Sequence, residues 1–401
     1  VRRILPEFID FTSRLPLPDA ALPQPGADAL AQSRLLVAQI VEEIESSGGW
    51  ISFARYMELA LYTPRLGYYA GGSAKLGASG DFITAPELSP LFSATLARQL
   101  AEVLASTGGS VLELGAGSGR LAADLLTALD ESNHLPERYW MLDVSSDLRA
   151  RQQDRLEMLP VHLRQKVEWI DRLPDRFTGV ILANEVLDAL PVHLIVWHGE
   201  AIFERGVTWR DAHLEFEERP LNDGTLFTAA HSIGPSSPYT SEVGLAAPAL
   251  VRSLAACLER GMLLFIDYGF GESEYYHPQR SAGTLMCHYR HRAHDDPFFV
   301  PGLQDITAHV NFSSVASAAI ESGLALAGYT SQAHFLINLG ITELLARVPA
   351  DQPSVYLPQA ATAMKLLSPA EMGELFKVIA LSKGLSDTPT GFVRGDLSRL
   401  L

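Results

Sequence analysis

Glu113, Gly115, Gly117 and Gly119 stand two residues apart in VLELGAGSGRL, Val111 to Leu121, where an apolar run passes straight into glycines. Glycine lets backbone come close to a ligand, so such a turn is a common seat for a nucleotide-like molecule. A phosphate-gripping loop needs Gly-x-x-x-x-Gly-Lys-Ser/Thr, and no lysine follows here. A dinucleotide fingerprint counted from Gly115 and Gly117 would place its third small residue at Arg120, whose bulk would crowd helix against strand. The spacing suits S-adenosylmethionine better. Glu113 sets a carboxylate where that ligand carries its ammonium group, and Asp143, closing the next apolar stretch, is placed to accept from two ribose hydroxyls. Ser118 in the loop and Val144 beside Asp143 belong to the same expected cofactor set. A glycine triplet alone would be read as a tight turn, and the two flanking acids move the reading to cofactor binding.

Further polar residues gather where apolar strands end. NEVLDALP brings Asn184, Glu185 and Asp188 after a strand, with Asn184 expected near the cofactor and Glu185 and Asp188 as catalytic candidates. The competing reading is helix capping, in which these side chains satisfy free backbone N–H groups. Asp267 and Tyr268 end a later strand, and a substrate-side role competes there with a structural one. Glu242, in YTSEVG, has the look of a helix start and is read as a cap. MCHYRHRAHDD gathers Cys287, His288, His291, His294 and Asp295. These are zinc-ligating residue types, but no second ligand pair accompanies them, and the segment is read as a solvated or substrate-facing loop without metal.

The elements that must position these residues follow from periodicity. ADALAQSRLLVAQIVEEIESSGG has helical apolar spacing and a Gly-Gly stop, and SFARYMELALY and PLFSATLARQLAEVLAS read as helices. The glycine- and proline-rich stretch between the last two is too long for an ordinary connector and is read as functional. From residue 110, SVLELG, YWMLDVS, KVEWI and GVILANEV alternate with helical segments, which implies a parallel sheet covered by helices. HLIVWHGEAIFERGVTWRDAHLEFEERP breaks the rhythm as an antiparallel meander. The pattern resumes with a helix over 245–260 and the strand GMLLFIDYG. A second, irregular insertion follows at about 271–310. The chain then supplies a helix near 312–323, a strand near 329–338, two helices and the strand FKVIALSKG.

The 401 residues allow one large domain with insertions or two domains, and 47% apolar with 19% charged residues marks a globular chain. Thirty-one basic against 47 acidic side chains leave a net charge of −16, which disfavours non-specific binding to nucleic acid or anionic lipid. Two cysteines, Cys257 and Cys287, give no disulfide framework, no apolar run is long enough to span a bilayer, and the cytoplasm is the default expectation.

MELALYTPRLGYY, GDFITAPELSPLF, VLELGAGSGRLAADLL, LDVSSDLRARQQ, ILANEVLDALPV, LLFIDYGF and DITAHVNFSSV together resemble the MidA-like methyltransferases, in order from about residue 50 to 340. Mitochondrial members of that family assist assembly of respiratory complex I. The resemblance implies a doubly wound, mostly parallel class I methyltransferase (Rossmann-like) sheet, S-adenosyl-L-methionine as cofactor, and methylation of an arginine in a partner protein. It also implies a role near the cofactor for Gly80, Asp81 and Glu87. LDVS carries aspartate where that family leads one to expect glutamate, and the shorter carboxylate still reaches the ribose. The expected organisation is an N-terminal arm and helical region with a glycine-rich loop over 1–105, then a methyltransferase domain over 106–401 with insertions at about 193–240 and 271–310. The alternatives are a catalytically silent assembly chaperone on the same fold and, disfavoured by Arg120, an NAD-dependent oxidoreductase.

Overall fold

The N-terminal helices form where apolar residues recur at helical spacing. In the computed structural model, which describes residues 22–71, 84–143, 145–235 and 238–401, α1 (Ala27–Ser46) buries Leu36, Ile40 and Ile44 on one face. After the two-residue strand β1 (Ile51–Ser52), the Ser52 side chain accepts from the Arg55 N–H and starts α2 (Phe53–Tyr62). The short α3 (Ala85–Leu88) precedes α4 (Pro90–Thr107), which begins with a Ser89 cap and a proline and ends at Gly108 in the left-handed conformation.

The alternating region follows as β2 (Ser110–Leu114), α5 (Arg120–Glu131), β3 (Tyr139–Leu142), α6 (Ser146–Leu156), α7 (Val161–Arg164), β4 (Val167–Ile170) and β5 (Phe177–Asn184). The first insertion holds β6 (His193–His198), β7 (Ala201–Arg210), β8 (His213–Pro220), α8 (Gly224–Ile233) and β9 (Tyr239–Val243). Next come α9 (Ala246–Cys257), β10 (Leu258–Phe270), α10 (Glu272–Tyr275), β11 (Met286–Tyr289), β12 (Arg292–His294), β13 (Asp305–Thr307), β14 (Val310–Asn311) and α11 (Phe312–Glu321). The chain closes with β15 (Ala325–Ser331), α12 (Gln332–Asn338), α13 (Ile341–Ala346), α14 (Pro353–Leu367), α15 (Met372–Leu375) and β16 (Phe376–Lys383).

The main sheet has the order β4-β3-β2-β5-β10-β16-β15, with β14 paired to β10. Strands β2 to β5 and β10 run parallel, and β16 is antiparallel to both of its neighbours. The chain steps outward from β2 to β4 and then returns to the other side of β2. The carboxyl ends of β2 and β5 therefore flank the point where strand order reverses, the usual ligand crevice of such sheets. Alternate side chains of each strand enter different cores. Val111, Leu182, Leu264 and Val378 pack with α4, α5 and α12 on one face. Leu112, Ile181, Phe265 and Ile379 pack with α9 and α11 on the other. Burial on both faces explains why these strands are nearly continuous apolar runs. The expected doubly wound class of sheet is present.

The antiparallel meander is also present, as β6, β7, β8 and β9, and β7 takes β1 as a further partner. A third core joins Ile40 and Ile44 of α1, Tyr56 and Leu61 of α2, Val207 and Leu214 of the first insertion, and Cys287 and Ile306 of the second. Both insertions and the two N-terminal helices thus form one cap beside the sheet.

Three sequence expectations change. The second insertion is not wholly irregular, because β11, β12 and β13 make a small antiparallel sheet. The segment near 329–338 is a strand only as far as Ser331. There the serine side chain accepts from the His334 N–H, and the apolar run that follows coils into α12. Short apolar runs fit either element, and the cap decides. Glu242 caps no helix. It lies buried in β9, where its carboxylate accepts from the backbone N–H groups of Thr284 (2.9 and 3.0 Å) and Leu285 (2.9 Å) and from the Thr284 hydroxyl (3.0 Å). Gly283, at φ +79, must be glycine, since a Cβ there would stand 2.4 Å from the Glu242 carboxylate. One acid thus ties the two insertions together. Among the described residues no helix is long and apolar enough to cross a membrane.

Glu242→Gln turns one acceptor oxygen into a donor facing donors and should cost about 3 kcal/mol in urea unfolding. Glu259→Gln, at the exposed pair with Arg176, should cost less than about 1 kcal/mol. Equal costs would show that Glu242 is not the tie.

Candidate functional site

The glycine loop leaves β2 with its pairing continued by one residue, as the Gly115 N–H donates to the Leu142 carbonyl at 3.0 Å. Gly115, Gly117 and Gly119 have φ of 62, 55 and 77°, a region in which a side chain is strained. Space is closed as well: a Cβ on Gly115 would meet the Val186 side chain at 2.9 Å, and one on Gly119 the Gln152 Cα at 3.1 Å. The loop is therefore wedged between α6 and the turn that follows β5. Ser118 donates its hydroxyl to Glu87 of α3, which brings the end of the long N-terminal loop over the glycines. Arg120 lies beyond the loop in an ion pair with Asp124.

Two carboxylates flank this loop. Glu113 is buried, accepts from the Tyr139 hydroxyl at 2.6 Å, and is pushed up to about 7 by loss of solvent, against which that hydrogen bond works. Asp143 accepts from the Ser145 N–H through one oxygen and from the Gln152 amide through the other, each at 3.0 Å. Burial raises its pKa, and hydrogen bonds from Ser145, Gln152 and Gly117 work against that. Gln152 also donates to the Gly117 carbonyl at 3.1 Å and accepts from the Trp169 indole at 2.8 Å. This fully buried amide locks the glycine loop to Asp143.

After β5 the chain makes a turn, not a helix, so Glu185 and Asp188 cap no helix. The free N–H groups of Val186, Leu187 and Asp188 all point at one oxygen of Asp267, at 3.1, 2.9 and 3.3 Å. Asp267 is thus turned inward as the brace of the turn, and Tyr268 hydrogen-bonds Asp188. Glu185 sits at φ 53°, outside the range side chains prefer, and its N–H donates to the Ile266 carbonyl at 2.9 Å. Its carboxylate accepts from the Asn184 amide at 3.1 Å and the Ala85 N–H at 3.4 Å. Burial, with Asp188 nearby, pushes Glu185 up to about 8. Burial also raises Asp188 and Asp267. The Oδ1 atoms of Asn184 and Asp188 are buried without a hydrogen-bond partner.

Glu113, Gly115, Gly117, Ser118, Asp143, Asn184 and Glu185 line one cavity of about 870 Å³. Gly119 stands behind it as the N-cap of α5, and Asp188 lies buried beside its wall. Gly80, Asp81 and Val144 lie outside the described residues. Sequence reasoning missed Gln152, Tyr62 and Tyr69. Gln152 falls in a strongly polar helix that reads as exposed, and its only signal was its place in LDVSSDLRARQQ. Tyr62 and Tyr69 also line the cavity, within MELALYTPRLGYY. The histidine-rich segment forms the β11–β12 hairpin with Cys287 buried. Among the described residues no three His, Cys, Asp or Glu side chains are grouped to hold a metal. The cavity thus offers two carboxylates around a glycine loop at one end and a group of acids at the other.

A family model for S-adenosyl-L-methionine-dependent methyltransferases matches residues 95–330. A crystal structure from Burkholderia thailandensis bound to S-adenosyl-homocysteine superposes with a TM-score of 0.92 and is 51% identical, covering 95% of this chain and 100% of that one. The protein arginine methyltransferase NDUFAF7 homolog, mitochondrial, of Caenorhabditis elegans is 30% identical over 82% of this chain and 81% of its own. Its human counterpart is 28% identical over 86% and 83%. These curated relatives are mitochondrial, which overturns the cytoplasmic expectation. The unpaired, buried Cys257 and Cys287 bear on redox conditions, and several compartments share those. With the family model spanning more than half of the chain, this protein belongs to the S-adenosyl-L-methionine-dependent methyltransferases.

Proposed function

We propose that this methyltransferase modifies an arginine side chain of a partner protein, with Glu113, Gly115, Gly117, Ser118, Gly119 and Asp143 holding the cofactor and Glu185 and Asp188 the acceptor. When bound, the cofactor supplies a methyl group on a sulfonium, an electrophile strong enough that the chain need add mainly alignment. The residues present fit it. Glu113 is a carboxyl that an ammonium group would hold ionised, and Asp143, oriented by Gln152 and the Ser145 N–H, is an acceptor for a ribose hydroxyl.

The acceptor end of the cavity carries the arginine reading. It presents the Glu185 carboxyl, with Asp188 buried behind the wall and the Oδ1 atoms of Asn184 and Asp188 buried without a partner. Among the described residues, no basic side chain is among the groups that shift Glu185, Asp188 or Asp267. Arg55 and Arg120, which also line the cavity, are engaged by Glu43 and Glu58 and by Asp124. A guanidinium is the complement, with five N–H donors and no acceptor. Glu185 can fix one nitrogen in line with the methyl group and favour the charge distribution of the transition state. The names of the curated relatives support the same acceptor. The net charge of −16 favours a basic protein partner over nucleic acid.

Asp143→Ala should weaken S-adenosylmethionine binding by about 1.5–3 kcal/mol in calorimetry with the fold intact. An unchanged dissociation constant would remove Asp143 from the cofactor site.

The acceptor is tested by incubating purified enzyme and labelled cofactor with a lysate lacking this gene product, then locating the label by mass spectrometry. Arginine is expected, and label confined to lysine or to small molecules would overturn the reading. On the acceptor so identified, Glu185→Gln should cut transfer roughly a hundredfold while cofactor affinity stays within a few-fold. Because Glu185 pairs with a cation only when ionised, and its proton leaves near pH 8, parental kcat/KM should rise from pH 6 and level off above 8. With cofactor saturating, so that Glu113 stays ionised against the ammonium group, the variant should lose that rise. Near-parental turnover in the variant would exclude Glu185 from the mechanism.

A further inference from the structure

Tyr62, at the end of α2, and Tyr69, in the loop after it, stand in the cavity wall with Glu185. Their rings stack at 5.6 Å between centroids and 23° between planes. Fully buried Tyr68 sets its ring edgewise to Tyr69 at 5.1 Å. Both hydroxyls are already spent. Tyr62 donates to the Ala189 carbonyl at 2.9 Å, one residue past Asp188, and Tyr69 donates to the Asp305 carboxylate at 2.9 Å. Burial first, and then the nearby Asp305 and Asp188, keep both phenols protonated. What the pair leaves for an occupant is aromatic carbon, held rigidly beside a group of acids.

We propose that Tyr62 and Tyr69 form the wall against which the planar cation of the acceptor packs, so that these rings select a guanidinium over an ammonium. This rests on the arginine reading of the site and names how that site would choose. A guanidinium is flat and weakly hydrated, and it can give its edge N–H groups to Glu185 while its face lies on a ring. An ammonium is a compact, strongly hydrated charge with no face to stack, so the same wall returns it less. The rings are anchored from two directions, by the turn after β5 and by β13 of the second insertion, which fixes the wall relative to Glu185. The competing role is bracing, in which the Tyr62 hydroxyl serves only to hold the Ala189 carbonyl.

Two substitutions separate these roles. Tyr62→Phe removes the brace and keeps the ring, and Tyr62→Leu removes the ring and keeps apolar bulk. Binding of N-acetyl-arginine methylamide and N-acetyl-lysine methylamide would be followed by NMR titration of protein saturated with S-adenosylhomocysteine. The parent should prefer the arginine probe. Tyr62→Leu should weaken that probe roughly ten- to thirty-fold and erase the preference, and Tyr62→Phe should stay within about three-fold. Leu binding like the parent, or Phe losing as much as Leu, overturns the wall and leaves the arginine reading standing. A parent that binds neither probe, or prefers lysine, overturns both. If Tyr62→Leu no longer holds S-adenosylhomocysteine, Tyr69→Leu and Tyr69→Phe read the same contrast from the other ring.

Discussion

A single oxygen of Asp267 accepts three successive backbone N–H groups, and the acceptor side of the cavity depends on it. The turn after β5 is buried, so three donors there without a partner would each cost about 1–3 kcal/mol. Asp267 reaches them because β10 lies next to β5 in the sheet and runs on past its end, with Ile266 beside Asn184. With the turn fixed, the chain tolerates Glu185 at φ 53°, a conformation that costs of order 1–2 kcal/mol for such a residue. That geometry in turn aims the Glu185 carboxylate at Asn184 and at the start of α3. The placement of Glu185 is thus a property of a neighbouring strand.

The two halves of the site are built differently. The proposed cofactor half is contiguous: β2, the glycine loop, β3 and α6 lie within 110–156, and Gln152 joins the loop to Asp143. The proposed acceptor half gathers Tyr62, Glu185, Asp267 and Asp305 from four distant segments. It exists only because α1, α2 and both insertions share a core, with Glu242 tying one insertion to the other.

The same division governs what could be read from the chain. That the glycine loop, Glu113 and Asp143 share one cavity was legible, because glycines at fixed spacing and an acid at the next strand end are local signals. The alternating strands and the meander were equally visible in their periodicity. Glu242 was misread because a buried carboxylate receiving N–H groups from residues 284 and 285 looks, within its own segment, like an ordinary cap. Asp267 left its role open for the same reason, its donors being about eighty residues away. The stretch holding Tyr69 reads as functional, but nothing in it singles out Tyr62 or Tyr69, and only the fold brings them to the cavity with Glu185. Long-range satisfaction of a polar group leaves no mark on its neighbours in sequence.

Long-range attraction and close-range grip part company in such a site. The field of a chain carrying −16 acts across solvent and draws in cationic partners, but at physiological ionic strength it fades over about 8 Å. Asp188 is buried behind the cavity wall, and Glu185 faces only the cavity, so mobile ions screen both less than they screen the surface. In the proposed complex with a cationic partner, added salt would therefore act chiefly on the rate of encounter, and much less on the lifetime of the docked state.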